Sequence, residues 1–327
     1  MPEDSFSQIH VLDLGNSYKA DREQGKAVET LGNSFESNGF LVVTNHGVSN
    51  DQINEVEMQA RKFFAQPYET KALSKAPPGV FRGYTAMEKT ALSLSRDIQT
   101  PPDACEVFSL NHFDDRSVAE KCGLKEGRED FFAPNIWPAN LPEFKETLRS
   151  YYTAMEGLAD HLMQLSALAL GLEENWFEDK INDHITNLTL NYYPKIESNL
   201  LDDQLRRGEH SDWGTLTILH HDGESGLQIK DSLGEWVDVP SVPDSFVVNL
   251  GDLMARWTND RWKSTVHRVI PPKDLSRDRL SLVFFHQPAY DAVIECIPTC
   301  VSPENPSRYE PVTSGEWILE MQKKTTF

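Results

Sequence analysis

Gly208-Glu209-His210-Ser211-Asp212-Trp213-Gly214 opens a stretch that continues to Ser264-Thr265-Val266-His267-Arg268-Val269-Ile270 and closes with Asp278-Arg279-Leu280-Ser281-Leu282. In an extended segment the side chains at i and i+2 project to the same side, so His210 and Asp212 can reach one metal ion. Gly214-Thr215-Leu216-Thr217-Ile218-Leu219 and Thr265 to Ile270 are rich in β-branched residues and bounded by turn formers, which is a strand signal, so His267 enters from a second strand. Pro271-Pro272 ends that strand because proline has no N–H for a ladder. Arg279 to Phe285 resumes the extended pattern with Arg279 and Ser281 on one face. Two imidazoles and one carboxylate are the ligand set of open non-haem Fe(II) sites. The same set can hold Zn2+ with water in the open position. A guanidinium and a hydroxyl beside it suit a bound carboxylate.

Outward from this stretch, Ile185 onward reads as short strands and turns. Thr186 to Tyr193 alternates; Leu227-Gln228-Ile229 and Glu235 to Val239 flank the turn Asp231-Ser232-Leu233-Gly234; Ser245 to Leu250 is apolar enough to be buried. These strands suffice for a two-sheet jelly roll. Helical patterns precede them: Ala20 to Ser37, Asp51 to Ala65, and a long stripe over Leu141 to Leu170 that stops at Gly171 and braces the barrel from behind. Pro77 to Tyr84 reads as an irregular, aromatic-bearing loop, and Asp114 to Phe132 has the composition of a surface loop or lid. No repeat and no Gly/Ser linker divides the chain. The reading is one domain over 1–327, with a helical and strand region over about 1–184, a jelly-roll core over about 185–300 and a C-terminal tail over 301–327.

Composition bounds the function. With 327 residues and 39% hydrophobic content the chain can bury a full core. A net charge of −20 argues against general nucleic-acid binding. Met1-Pro2-Glu3-Asp4-Ser5 is unlike a signal peptide, and no apolar run approaches the roughly 18 residues of a membrane helix. Four cysteines do not make a disulfide framework, and Cys296 and Cys300 read as ordinary thiols. The expectation is a reduced, cytoplasmic, monomeric protein that binds neither nucleic acid nor membrane.

Three motifs agree in order and spacing with one family. His210-x-Asp212, His267 and Arg279-x-Ser281, with Asn191-Tyr192-Tyr193-Pro194 ahead of them, resemble the iron- and 2-oxoglutarate-dependent dioxygenases of the isopenicillin N synthase-like group. Asn38-Gly39-Phe40 to Asn45-His46-Gly47-Val48 resembles that group's Gly-Phe-x-x-x-x-Asn-His-Gly signature, and Ile9 to Leu14 its opening strand. The resemblance runs from about Ile9 to about Pro298. It implies a mixed α/β chain built on a cupin-like double-stranded β-helix, or jelly roll, with an N-terminal helical flank. It assigns His210, Asp212 and His267 to Fe(II), and Arg279, Ser281 and Tyr193 to the distal carboxylate of 2-oxoglutarate, with Asn191 near the keto-acid end. It also places Arg82, Tyr84, Glu106, Thr189, Phe285 and Gln287 toward the substrate.

The activity so implied is oxidation of a small molecule, a natural product or metabolite, by hydrogen abstraction. O2 is consumed, 2-oxoglutarate leaves as succinate and CO2, and the outcome is hydroxylation, desaturation or ring closure. Two rivals stand beside it: an isopenicillin N synthase-type oxidase that does without 2-oxoglutarate, and a His2Asp zinc hydrolase. A non-catalytic binding protein on the same scaffold would be expected to lack ligands, and all three are present. Among the remaining histidines, His46 reads as a turn residue bonded to backbone, His161 as a satisfied helix residue, and His220 and His221 as residues without a partner at a fixed offset, while His286 lies seven residues past Arg279 on the same strand.

Overall fold

The computed structural model describes residues 9–325 apart from positions 16, 19–21, 78–79, 88, 196–200, 202–203, 225, 273 and 275. The sequence readings at Met1 to Ser5, Ala20 and Pro78-Gly79 therefore lie outside the described residues. Twelve strands carry the site: β1 (His10–Asp13), β2 (Phe40–Thr44), β3 (Gly83–Thr85), β4 (Glu106–Leu110), β5 (Asn187–Tyr193), β6 (Arg207–His210), β7 (Leu216–His221), β8 (Leu227–Lys230), β9 (Trp236–Asp238), β10 (Ser245–Leu250), β11 (His267–Val269) and β12 (Arg279–His286). They form a large sheet of order β1-β2-β10-β7-β12-β5-β4-β3 and a smaller one of order β6-β11-β8-β9. The two sheets face each other as an open jelly roll. Ile9, Phe40, Val42, Val107 and Tyr193 on one side pack with Leu227, Ile229 and Val269 on the other.

Period-2 alternation sorts the large sheet into two faces. Leu188 and Leu190 of β5, Leu280, Leu282 and Phe284 of β12, and Phe246, Val248 and Leu250 of β10 join the main apolar core with Leu148, Tyr152, Leu158 and Leu162 of the helix Pro142–Ala169. Tyr152 meets Phe284 edge to face at 5.1 Å. The intervening residues Thr189, Asn191, Tyr193, Asn249, Val283 and Phe285 line a cavity between the sheets. The long helix thus braces the sheet from outside, and Gly171 (φ 72°) ends it. Helices α1 (Arg22–Ser37) and α2 (Asn50–Phe64) pack on the long helix. Ser49 caps α2 by accepting from the Asp51 N–H at 3.2 Å.

Three sequence expectations are corrected. The irregular loop after Pro77 contains the edge strand β3. Asp114 to Phe132 is not a plain loop: it carries the short helices Arg116–Cys122 and Glu129–Phe132, and Asp114 is fixed by Lys145, Arg149, Asn135 and Trp137. The tail over 301–327 holds the helix Ser314–Thr325, whose Ile318, Gln322 and Thr325 close one end of the cavity.

One corner ties the helical flank to the ligand-bearing strand. Gly39 (φ 70°) joins α1 to β2, and a Cβ there would stand 2.0 Å from the Lys263 carbonyl oxygen. Thr265 Oγ1 donates to the Asn38 carbonyl at 2.6 Å, just before β11. Gly171 also has positive φ, but nothing lies within 4 Å of a Cβ built there. Gly39→Ala should therefore destabilise the protein by at least about 2 kcal/mol, and Gly171→Ala by about 1 kcal/mol, from left-handed strain alone. Denaturant unfolding of the two variants checks this, and equal losses would contradict the clash at Gly39.

Candidate metal centre and cosubstrate pocket

β6 and β11 pair antiparallel with His210 directly opposite His267, which brings the two imidazole centroids to 4.3 Å. Asp212 follows two residues after His210, where the chain has left the strand. Its Oδ1 lies 3.8 Å from His210 Nε2 and 3.6 Å from His267 Nε2. One ligand atom from each of the three residues lies within 4.8 Å of the others, and all three residues are buried. His210 Nδ1 sits 2.7 Å from the Gly208 carbonyl oxygen and His267 Nδ1 3.1 Å from that of Thr265. A carbonyl only accepts, so each Nδ1 carries the proton and each Nε2 turns its lone pair to the shared point. Burial and the neighbouring His267 push the His210 imidazole down to about 3, which keeps it neutral, the form that ligates. Burial works to raise the Asp212 carboxyl, but His267 and His210, with hydrogen bonds from Thr217 and Asn249, hold it below the ordinary carboxylate range. A neutral His pair with an ionised carboxylate is what a divalent ion requires, so the donor set fits one.

The pairing of β12 with β5 sets the second half of the site. Arg279 stands opposite Tyr193 and Ser281 opposite Asn191. The Arg279 guanidinium carbon lies 5.1 Å from the Tyr193 ring centroid, and Arg279 Nη1 lies 3.4 Å from Ser281 Oγ. Arg279 is 1% exposed. Among the described residues no carboxylate forms an ion pair with it, although a buried cation needs a counter-charge. The three groups suit the carboxylate of an anionic small molecule.

Of the six residues expected toward the substrate, Thr189, Phe285 and Gln287 line the cavity. Arg82, Tyr84 and Glu106 do not. Tyr84 and Glu106 point to the opposite face of β3 and β4, where the Tyr84 hydroxyl donates to Glu106 at 2.6 Å and Lys71 pairs with Glu106 at 2.5 Å. Arg82 has the same parity as Tyr84 and is spent on the carbonyls of Phe81, Ala133 and Phe131 and on Asn187 Oδ1. Their neighbours Phe81, Thr85 and Val107 reach the cavity instead. Cys296 and Cys300 are free thiols. His46 accepts from the Val48 N–H at 3.2 Å, His161 meets Ser17 Oγ at 2.8 Å, His220 meets Glu57 at 2.8 Å, and His286 Nδ1 meets Thr215 Oγ1 at 2.7 Å.

Sequence reasoning missed two buried residues. Asn249 of β10 donates to Asp212 Oδ2 at 2.7 Å, fixing the carboxylate from behind. Arg207 of β6 lines the cavity and donates to Asn191 Oδ1 at 3.1 Å. For Asn249 the available signal was a lone polar residue within the apolar run Phe246-Val247-Val248-Asn249-Leu250; Arg207 had none.

A His2Asp cluster inside a jelly roll, with a buried arginine on the facing sheet that has no carboxylate partner among the described residues, is the arrangement expected of a mononuclear non-haem metal enzyme. Comparison with known proteins gives the family. Residues 185–288 match the 2OG-Fe(II) oxygenase superfamily, and residues 9–140 match the family described as non-haem dioxygenase in morphine synthesis N-terminal. A 2-oxoglutarate-Fe(II) type oxidoreductase, hxnY, of Emericella nidulans is 33% identical over 96% of this chain and 89% of the relative. Validamycin A dioxygenase of Streptomyces hygroscopicus subsp. limoneus is 28% identical over 95% of this chain and 85% of its own length. The crystal structure of a full-length Neurospora crassa protein in complex with alpha-KG and thymine superposes with a TM-score of 0.85 at 28% identity, covering 98% of both chains. The chain belongs to the 2-oxoglutarate- and Fe(II)-dependent oxygenases. It is an oxidoreductase that uses Fe(II), 2-oxoglutarate and O2 to oxidise a small molecule, which sets aside the hydrolase and the oxidase independent of 2-oxoglutarate.

The Asn249 contact makes a prediction separate from the ligands themselves. Asn249→Ala should weaken Fe(II) binding about ten- to a hundredfold while leaving the fold intact, because groups that orient a ligating carboxylate carry effects of that size. Anaerobic metal titration followed by equilibrium dialysis measures it, and unchanged affinity would show that Asp212 holds its orientation without Asn249.

Proposed function

We propose that His210, Asp212 and His267 hold the Fe(II), that Arg279, Ser281 and Tyr193 hold the distal carboxylate of 2-oxoglutarate, and that Asn191 lies toward its keto-acid end. The observation that carries this is the buried Arg279, which has no carboxylate partner among the described residues, in register with Tyr193 and two residues from Ser281. Iron bound there supplies the redox chemistry, in which O2 is reduced as 2-oxoglutarate breaks down to succinate and CO2 and a substrate C–H bond is oxidised. The protein positions the parts and keeps water out. Nδ1–H bonds to backbone hold both imidazoles, Asn249 holds the carboxylate, and the facing β-sheets enclose the reacting centre.

The substrate is a small, largely uncharged molecule of the natural-product or metabolite kind. Phe81, Leu92, Leu219, Phe285 and Ile318 supply apolar wall, and Asn187, Thr189 and Gln287 supply hydrogen-bonding groups. Gln287 Oε1 is buried without a hydrogen-bond partner, so it suits a substrate N–H or O–H donor. The thymine complex of the Neurospora crassa protein and the name of the validamycin A dioxygenase support this class. The chain acts as one domain in this reading, supported by an apolar core that runs from Leu12 to Ile318. A monomer in the cytoplasm accords with four free thiols and with the acidic surface.

One assay separates these roles. Succinate release driven by screened substrates should vanish in Asp212→Ala together with bound iron. In Gln287→Ala the substrate KM should rise roughly three- to tenfold, the size of one neutral hydrogen bond, with the KM for 2-oxoglutarate unchanged. Full activity in Asp212→Ala would overturn the ligand assignment, and an unchanged substrate KM in Gln287→Ala would remove that residue from substrate contact.

A further inference from the structure

A second group of potential ligands lies outside this machinery. His112 follows β4 by two residues, His184 precedes β5 by three, and Glu156 faces them from the helix Pro142–Ala169. One ligand atom from each lies within 4.8 Å of the others. His184 Nε2 and Glu156 Oε1 are 3.1 Å apart, and the two imidazole centroids 4.8 Å at an interplanar angle of 87°. Ligand atoms on a tetrahedral Zn2+ with bonds of about 2.0–2.1 Å stand ~3.3 Å apart, so the His184–Glu156 pair already has that spacing.

The polar bookkeeping of the cluster points the same way. Among the described residues His112 Nδ1 is buried without a hydrogen-bond partner, whereas buried imidazole nitrogens are normally satisfied.

We propose that His112, Glu156 and His184 form a second metal site for a late first-row divalent ion of the Zn2+ type, with water in the fourth position. Two imidazoles and one glutamate suit such an ion. The ligands come from the ends of two neighbouring strands and from the bracing helix, so the ion pins the helix to one end of the large sheet. This inference does not depend on the roles proposed at His210, Asp212 and His267.

The test is Zn2+ equilibrium dialysis of the metal-free full chain with total-metal analysis, folding being followed by circular dichroism. Wild type should bind two equivalents, and the double variant His210→Ala/Asp212→Ala should keep one. In that background, His112→Ala and the shape-preserving Glu156→Gln should each weaken the remaining equivalent at least tenfold and abolish the rise in Tm that Zn2+ produces. No equivalent in the double variant, or undiminished affinity after either further substitution, would overturn the second site.

Discussion

The structure depends on the strict alternation of side chains across the large sheet. Each of its central strands gives one set of residues to the bracing helix and the other to the cavity, and a shift of one residue would exchange them. On β12 this separates Leu280, Leu282 and Phe284 from Arg279, Ser281, Val283 and Phe285, of which Val283 and Phe285 line the cavity. On β5 it separates Leu188 and Leu190 from Thr189, Asn191 and Tyr193. Burying the leucines and phenylalanines against Pro142–Ala169 therefore fixes, as a geometric consequence, where Arg279, Ser281, Asn191 and Tyr193 stand.

The second sheet completes the centre by register. Because His210 and His267 face each other across β6 and β11, no loop rearrangement is needed to converge two imidazoles. The third ligand comes from a turn, and its orientation is held by Asn249 of the opposite sheet. Charges are placed where water cannot screen them, so each must be matched. Asp212 meets two imidazoles and an amide, Asp103 meets the Gly208 N–H and lies 3.6 Å from Arg207, and Arg279 has no carboxylate partner among the described residues. In the proposed assignment Fe(II) and 2-oxoglutarate supply the counter-charges to Asp212 and Arg279.

Much of this was legible in the sequence because periodicity and ligand chemistry are local. His210-x-Asp212 and Arg279-x-Ser281 each state their common face by an i, i+2 spacing, and the stripe over Leu141 to Leu170 states its helix. Arg82, Tyr84 and Glu106 were misplaced because their face depends on which residue opens an edge strand after an irregular loop, and the loop hides that phase. The C-terminal helix escaped notice although Ile318, Met321 and Gln322 follow a three-and-four spacing. Its stripe is short and mixed with polar residues. Asn249, Arg207 and the His112–Glu156–His184 group come together only through tertiary packing between strands and helix, which no spacing in the chain encodes.

The pairing of a metal with an arginine-held keto acid is tested most directly by anaerobic titration of the Fe(II)-loaded protein with 2-oxoglutarate, following the visible charge-transfer band of the chelate in wild type and in Arg279→Ala. The band should form in both. The variant should need about ten- to a hundredfold more 2-oxoglutarate at equal iron content, the loss expected from removing a charge-assisted bond of about 1.5–3 kcal/mol. Superimposable titrations would contradict the account and place the anchor elsewhere.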